Sequence, residues 1–96
     1  MNPSTLQEVI IQLKDILNDK KDRYEKVSQF IYRVMPDNEE KYDDFIHELA
    51  YDLDFYDPRE NLRKKYNFYG EEKLEKLLSS ALKELETRAS KNEKDE

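Results

Sequence analysis

The sequence ELAYDLDFYDPRENLRKKY spans residues 48–66 and holds the signals that end one helix and begin another. Pro58 disfavours a helical conformation at the residue before it, so we expect the preceding helix to stop near Tyr56. Asp57 can then act as the N-cap of a short helix, with Pro58 at its first position and Glu60 closing a capping box. The stretch therefore predicts a helix stop that is followed at once by a restart.

Apolar residues recur with the period of an α-helix in four segments, each with a single apolar face. The four faces consist, in chain order, of Leu6, Val9, Ile10, Leu13, Ile16 and Leu17; Tyr24, Val27, Phe30, Ile31 and Val34; Tyr42, Phe45, Ile46, Leu49 and Leu53; and Leu74, Leu77, Leu78, Ala81, Leu82 and Leu85. Each segment can hide its face only by packing against the others. We therefore expect an all-α fold, a small antiparallel four-helix bundle with a short extra helix before the last helix.

The composition agrees with a helical fold. The chain has 96 residues, and its one glycine and three prolines leave little material for β-hairpin turns. Its apolar fraction of 36% is enough for one thin core if every apolar residue is well placed. From Ser90 the sequence SKNEKDE has no apolar residue. We expect a helical domain over residues 1–89 and a disordered charged tail over residues 90–96.

Polar residues predict where the helices begin. Pro3 closes the chain before the first helix, and a Ser4 or Thr5 hydroxyl can cap its free N–H groups. The third helix is expected to begin around Asp37 or Asn38, either of which can serve as its cap.

Gly70 marks the start of the last helix. If Gly70 is the cap, Tyr69 and Leu74 occupy the two positions of a hydrophobic staple.

Cysteine and long apolar runs are both absent from the sequence. Without cysteine neither a disulfide framework nor a thiolate metal site can form, which is consistent with a reducing cytoplasm. No apolar run approaches about 18 residues, and the N-terminus MNPSTLQEVI lacks the basic start and apolar run of a signal peptide. We expect a cytoplasmic protein with no membrane partner.

Acidic residues are concentrated in the middle of the chain. The net charge is −6, and residues 37–60 hold ten acids against two bases. That window carries −8, so the remaining residues together carry +2. Phosphate binding requires clustered lysine and arginine, so we expect no nucleic-acid partner.

Neither catalysis nor metal binding is predicted. His47 is the only histidine, it falls among acids on the outer side of its helix, and no ligand spacing surrounds it. If Asp52 began a calcium loop, Asp57 would stand where glycine is needed and Arg63 where a bidentate glutamate is needed. We therefore expect a surface histidine, no cofactor and no enzyme.

The third helix carries two aromatic residues outside its apolar face. At 100° per residue, Tyr51 and Phe55 fall on the side opposite the core, and the same side carries Asp44, Glu48 and Asp54. Aromatics anchor protein interfaces, and acids steer a basic partner, so this side predicts a protein-binding surface. The alternative is that Phe55 folds back onto the segment 56–69.

Four consecutive sequence features between residues 42 and 86 resemble those of a known family. They are FIHELAYDL, then YDPRENLRKKY, then a Tyr-Gly start followed by Glu71 and Glu72, and then LEKLLSSALKEL. In this order they resemble the bacterial self-protective colicin-like immunity family, the colicin D immunity protein type. The first two helices match that family only in length and pattern.

The resemblance implies a small helical bundle that binds and blocks the toxic domain of a bacteriocin or of a contact-dependent inhibition toxin. Such domains are often basic ribonucleases, including ones that cut tRNA, and a carboxylate-rich face can occupy a site shaped for phosphates. On this reading a monomer or weak dimer binds the toxin through two sets of residues. Charge comes from Asp43, Asp44, Glu48, Asp52, Asp54, Asp57 and Glu60, and contact area from Tyr51, Phe55 and Tyr56.

A second function fits the same surface features. An acidic helical adaptor or regulator of phage or plasmid type would bind a different basic protein. Only the identity of the partner separates the two hypotheses.

Overall fold

The computed structural model describes residues 1–36, 41–66 and 68–94. These residues form five helices, α1 (Pro3–Asn18), α2 (Arg23–Val34), α3 (Asp44–Leu53), α4 (Glu60–Tyr66) and α5 (Glu71–Lys94). Within the described ranges there is no β-strand, and an isolated parallel bridge joins Tyr56 to Tyr69. The all-helical fold class is thus confirmed, with the short helix α4 immediately before α5.

The first helix begins earlier than expected. The side chain of Asn2 accepts a hydrogen bond from the Thr5 backbone N–H at 2.8 Å, so Asn2 is the N-cap. Pro3 takes the first helical position, where its missing N–H leaves no intrahelical bond unmade. The prediction that Ser4 or Thr5 caps α1 is therefore wrong.

The third helix begins later and ends earlier than expected. Its N-cap is Asp43, whose carboxylate accepts the Ile46 N–H at 3.1 Å, while the predicted caps Asp37 and Asn38 lie outside the described residues. After Leu53 the chain tightens, because Tyr56 N–H donates to the Leu53 carbonyl three residues back. This tightened turn ends α3 before the predicted stop near Tyr56.

The restart after Pro58 also differs from the prediction. Asp57 accepts the Arg59 N–H at 2.8 Å, so α4 begins at Glu60 and Pro58 precedes the helix. The Asp57 N–H donates to the Tyr69 carbonyl at 3.0 Å, which leaves it no bond for a capping box with Glu60. The backbone bond from Asp57 to Tyr69 therefore takes the place of the expected capping box, while the Asp57 side chain keeps its local bond to Arg59.

The core is built from the predicted apolar faces. Helix α1 packs against α5 and α2, and α2 packs against α3. Most of the predicted residues are buried, and Leu17, Ile31, Phe45 and Leu77 are half-buried. Tyr24 is the exception, because it is 46% exposed.

Arg23, at the start of α2, is the largest fully buried side chain among the described residues. Its guanidinium donates to the Ile16 and Leu17 carbonyls at the end of α1, at 3.0 Å and 2.6 Å. It also donates to Glu71 at 2.7 Å and to Glu75 at 3.0 Å, near the start of α5. One side chain therefore ties together three helices, a role that its sequence position did not reveal.

The last helix starts after Gly70, as expected, and continues to Lys94. The segment expected to be a disordered tail from Ser90 is thus helical as far as Lys94, and residues 95–96 lie outside the described part of the chain. Ala89 packs against the core, and the lysine and glutamate residues that follow it favour a helix. No helix in the described ranges is both long enough and apolar enough to span a membrane.

Candidate binding surface on helix α3

Six of the predicted site residues form one exposed surface on and just after α3, which we call the α3 face. They are Asp44, Glu48, Tyr51, Asp52, Asp54 and Phe55. Helix α3 presents them because Ile46, Leu49, Ala50 and Leu53 occupy its buried side. The surface therefore combines four carboxylates with two aromatic rings.

The aromatic rings of the α3 face form a small cluster. The Tyr51 and Phe55 ring centroids lie 5.4 Å apart, edge to face, and Phe55 makes the same kind of contact with Phe68 at 6.1 Å. Tyr51 is 58% exposed and Phe55 38%. Phe55 thus lies against the segment 56–69, as the alternative reading expected, and it keeps part of its ring exposed.

Phe68 is a member of this cluster that the sequence did not predict. It is half-buried and lies in the loop between α4 and α5, where helical spacing gives no information. Its only sequence signal was its place in the segment 56–69 onto which Phe55 was expected to fold. The Tyr69 N–H donates to the Phe55 carbonyl at 3.0 Å, and this bond holds the loop against the end of α3.

Tyr56 does not belong to the exposed surface, although it was predicted to supply contact area. It is 4% exposed, and its hydroxyl donates to the Glu71 carboxylate. Burial, assisted by that hydrogen bond, raises the pKa of Tyr56 above its ordinary value. The isolated backbone bridge to Tyr69 is consistent with this buried position.

Asp57 is likewise buried, at 3% exposure, and its carboxylate binds Arg59 through two hydrogen bonds at 3.0 Å and 2.9 Å. The bond with Arg59 lowers the pKa of Asp57 against the opposing effect of burial. Because the charge is already paired and enclosed, Asp57 cannot supply charge to an exposed binding surface as predicted.

Two further predicted acids are already engaged within the chain. Asp43 is half-buried, caps α3 and accepts a hydrogen bond from Arg88 at 2.9 Å. Glu60 is exposed on α4 and forms an exposed pair with Lys64 at 3.4 Å. Both remain near the α3 face in sequence, but neither presents a fully unpaired charge.

His47 is half-buried and therefore less exposed than expected. No group of three or more histidine and carboxylate side chains in the described part of the chain is placed to hold a metal ion. Residues 37–40, which contribute three of the ten acids in the central window, lie outside the described ranges.

No protein-family model, curated protein or solved structure matches this chain. The α3 face and the sequence features of residues 42–86 are therefore the two indications of function that this chain offers.

Proposed function

We propose that this protein is an immunity protein that binds and neutralises a cognate bacteriocin or contact-dependent inhibition toxin domain. The proposed target is a basic nuclease domain, such as one that cuts tRNA, and the protein blocks its active or substrate-binding site. Inhibition is stoichiometric, without catalysis or cofactor, and takes place in the cytoplasm. We further propose that α1, α2, α3 and α5 form an antiparallel four-helix bundle that carries the binding surface.

One observation carries the proposal, the exposure of Tyr51 and Phe55 among acids on a single helix face. Partly exposed aromatic rings that already pack edge to face are rigid, so they lose little side-chain entropy when a partner covers them. Such pre-ordered anchors suit a tight and specific protein interface.

The charge distribution supports a basic partner. Asp44, Glu48, Asp52 and Asp54 surround the aromatic pair, and no base is part of the α3 face. A surface of one sign accelerates encounter with an oppositely charged protein, and it repels nucleic acid and acidic proteins. Carboxylates on this face can also occupy positions that the nuclease would otherwise offer to phosphates of its substrate.

The decisive experiment is co-expression with the C-terminal domain of any toxin whose gene neighbours the gene for this chain. We expect the protein to restore growth, and the purified pair to form a complex that no longer cleaves RNA. If no neighbouring toxin domain is neutralised but another basic protein binds the α3 face, the adaptor or regulator function replaces the immunity function.

A charge-reversal triple variant tests the surface itself. Asp44→Lys, Glu48→Lys and Asp54→Lys together should slow association with the toxin by at least about tenfold. At high salt the wild type and the variant should associate at similar rates, because salt screens the attraction. The matched control reverses three exposed acids elsewhere, Glu8→Lys, Glu25→Lys and Glu86→Lys, with the same change in net charge. Equal effects of the two triple variants would show that the α3 face is not the binding surface.

A further inference from the structure

A groove of about 280 Å³ lies between α3 and α5, beside the α3 face. Its floor is apolar, and its rim carries acids from both helices. The floor consists of Phe45, Leu49, Leu77 and Ala81, and the rim of Glu48, Asp52 and Glu84, with Ser80 between them. This volume lies at the lower edge of the range of about 300–1,000 Å³ that is typical of small-ligand sites, and it is large enough for a single side chain.

Every ionisable residue that lines the groove is an acid. Glu48 and Asp52 are one helical turn apart on α3, and both are exposed. Among the described residues neither carboxylate forms an ion pair, whereas Glu84 accepts a hydrogen bond from Arg88 at 3.1 Å. The two carboxylates on the α3 side of the rim are thus not paired with any cation of the described part of the chain.

The other end of this region already holds a guanidinium. Arg88 lies over the Phe45 ring, 4.8 Å from its centroid, and binds Glu84 and also Asp43 at 2.9 Å. An aromatic floor with two flanking carboxylates therefore accommodates an arginine of the chain itself. Glu48 and Asp52 are a second pair of carboxylates, and they lie beside the apolar side chains of Leu49 and Leu77.

We infer that the groove between α3 and α5 receives an arginine side chain of the basic protein partner. The arginine methylenes would lie on Leu49, Leu77 and Ala81, and the guanidinium would donate to Glu48 and Asp52. This inference rests on the proposed function and adds the chemical group that the partner presents. It also extends the binding surface from the α3 face onto α5.

Arginine fits the groove better than lysine for two physical reasons. Its planar guanidinium donates to two carboxylates at once, whereas a lysine ammonium acts as a compact point charge. The guanidinium is also the more weakly hydrated of the two, so that placing it on an apolar floor costs less free energy.

The test uses two serines that are neighbours on α5. Ser80→Arg places a guanidinium at the groove, one turn from Glu84, while Ser79→Arg adds the same charge at an exposed position that does not line the groove. The probes are a nona-arginine peptide and a nona-lysine peptide at physiological salt, with binding followed by amide chemical shifts. We expect the arginine peptide to shift resonances of groove residues and to bind more tightly than the lysine peptide.

Ser80→Arg should weaken binding of the arginine peptide by about tenfold, and Ser79→Arg by less than about twofold. The isosteric double variant Glu48→Gln and Asp52→Asn should weaken it to a similar degree, which guards against a folding defect in Ser80→Arg. Equal effects of the two serine variants, or shifts spread over all acidic surfaces, would overturn the inference.

The same variants separate this inference from the proposed function. Suppose that the Asp44, Glu48 and Asp54 reversals abolish toxin inhibition while Ser80→Arg and Ser79→Arg inhibit equally well. The inferred arginine site in the groove is then wrong, and the immunity function stands. If the arginine peptide binds the groove as expected but no toxin is neutralised, the groove is a binding site for another basic protein, and the immunity function is wrong.

Discussion

The buried guanidinium of Arg23 lies 2.7 Å from the carboxylate of Glu71, a residue 48 positions further along the chain. Burial acts to lower the pKa of Arg23, but the bonds with Glu71 and Glu75 raise it overall, so the side chain stays charged. Glu71 also accepts the Tyr56 hydroxyl. The pair thus connects the α1–α2 corner to the start of α5 and, through Tyr56, to the chain that follows α3.

Replacing Arg23 should destabilise the fold. Arg23→Met keeps much of the volume but leaves the Ile16 and Leu17 carbonyls without their donors, so we expect a loss of about 2–4 kcal/mol. Chemical denaturation measures this change in the free energy of unfolding. Arg33→Met, at an exposed position of the same helix, is the matched control and should change stability by less than about 0.5 kcal/mol. A similar loss in both variants would contradict the role assigned to Arg23.

Asp57 should make stability depend on acidic pH. Its pKa is lower in the folded chain than in the unfolded chain, where it is about 3.9, so the folded state favours the charged form. The stabilisation is complete above that unfolded value and is lost as the pH falls through the folded pKa. Asp57→Asn should therefore lower stability at neutral pH and flatten its decline below about pH 4.

Unfolding curves recorded from neutral to acidic pH measure this effect. Asp22→Asn makes the same chemical change at an exposed position without a side-chain capping bond, and should leave the wild-type slope unchanged. An Asp57→Asn variant with the full wild-type acid dependence would exclude the Asp57–Arg59 pair as its source.

Gly70 and Arg63 should show coupled effects on stability. A Cβ atom at Gly70 would lie 3.1 Å from the Arg63 guanidinium carbon, and Arg63 donates to the Pro58 carbonyl at 2.8 Å. Gly70→Ala must therefore displace Arg63, and we expect a loss of about 0.5–1 kcal/mol. In an Arg63→Ala background the same change should cost less than in the wild type, because the close contact with the guanidinium is gone.

The four unfolding free energies of this double-mutant cycle measure the coupling directly. Additive effects would show that Arg63 moves aside at no cost.

The aromatic pair of the α3 face should act as the anchor of the partner interface. Tyr51→Ala and Phe55→Ala should each weaken binding by at least about 2 kcal/mol, mainly through faster dissociation. Tyr32→Ala removes another exposed tyrosine, on α2, and should leave affinity unchanged. Surface plasmon resonance with the toxin domain distinguishes these results. If Tyr32→Ala weakens binding as much as Tyr51→Ala does, the interface is centred elsewhere.

Helix positions and their buried sides were largely predictable from the sequence. Val27, Phe30 and Val34 recur at helical spacing and are all buried, because side chains three or four residues apart share one side of a helix whatever surrounds it. The same local rule placed Tyr51 and Glu48 on the exposed side of α3. The predicted helix ends were less accurate, since Asn2 and Asp43 had several local competitors for the capping role.

The sequence by itself determined an all-helical chain, the start of α5 after Gly70 and an acidic, aromatic surface on α3. Tertiary structure alone decided that Arg23, Tyr56 and Asp57 are buried. Burying a polar group is tolerable only when partners compensate its lost hydration, and here the partners include residues of other segments, such as Glu71 and Tyr69. Spacing along one helix carries no information about such partners, because they meet only when the whole chain has folded.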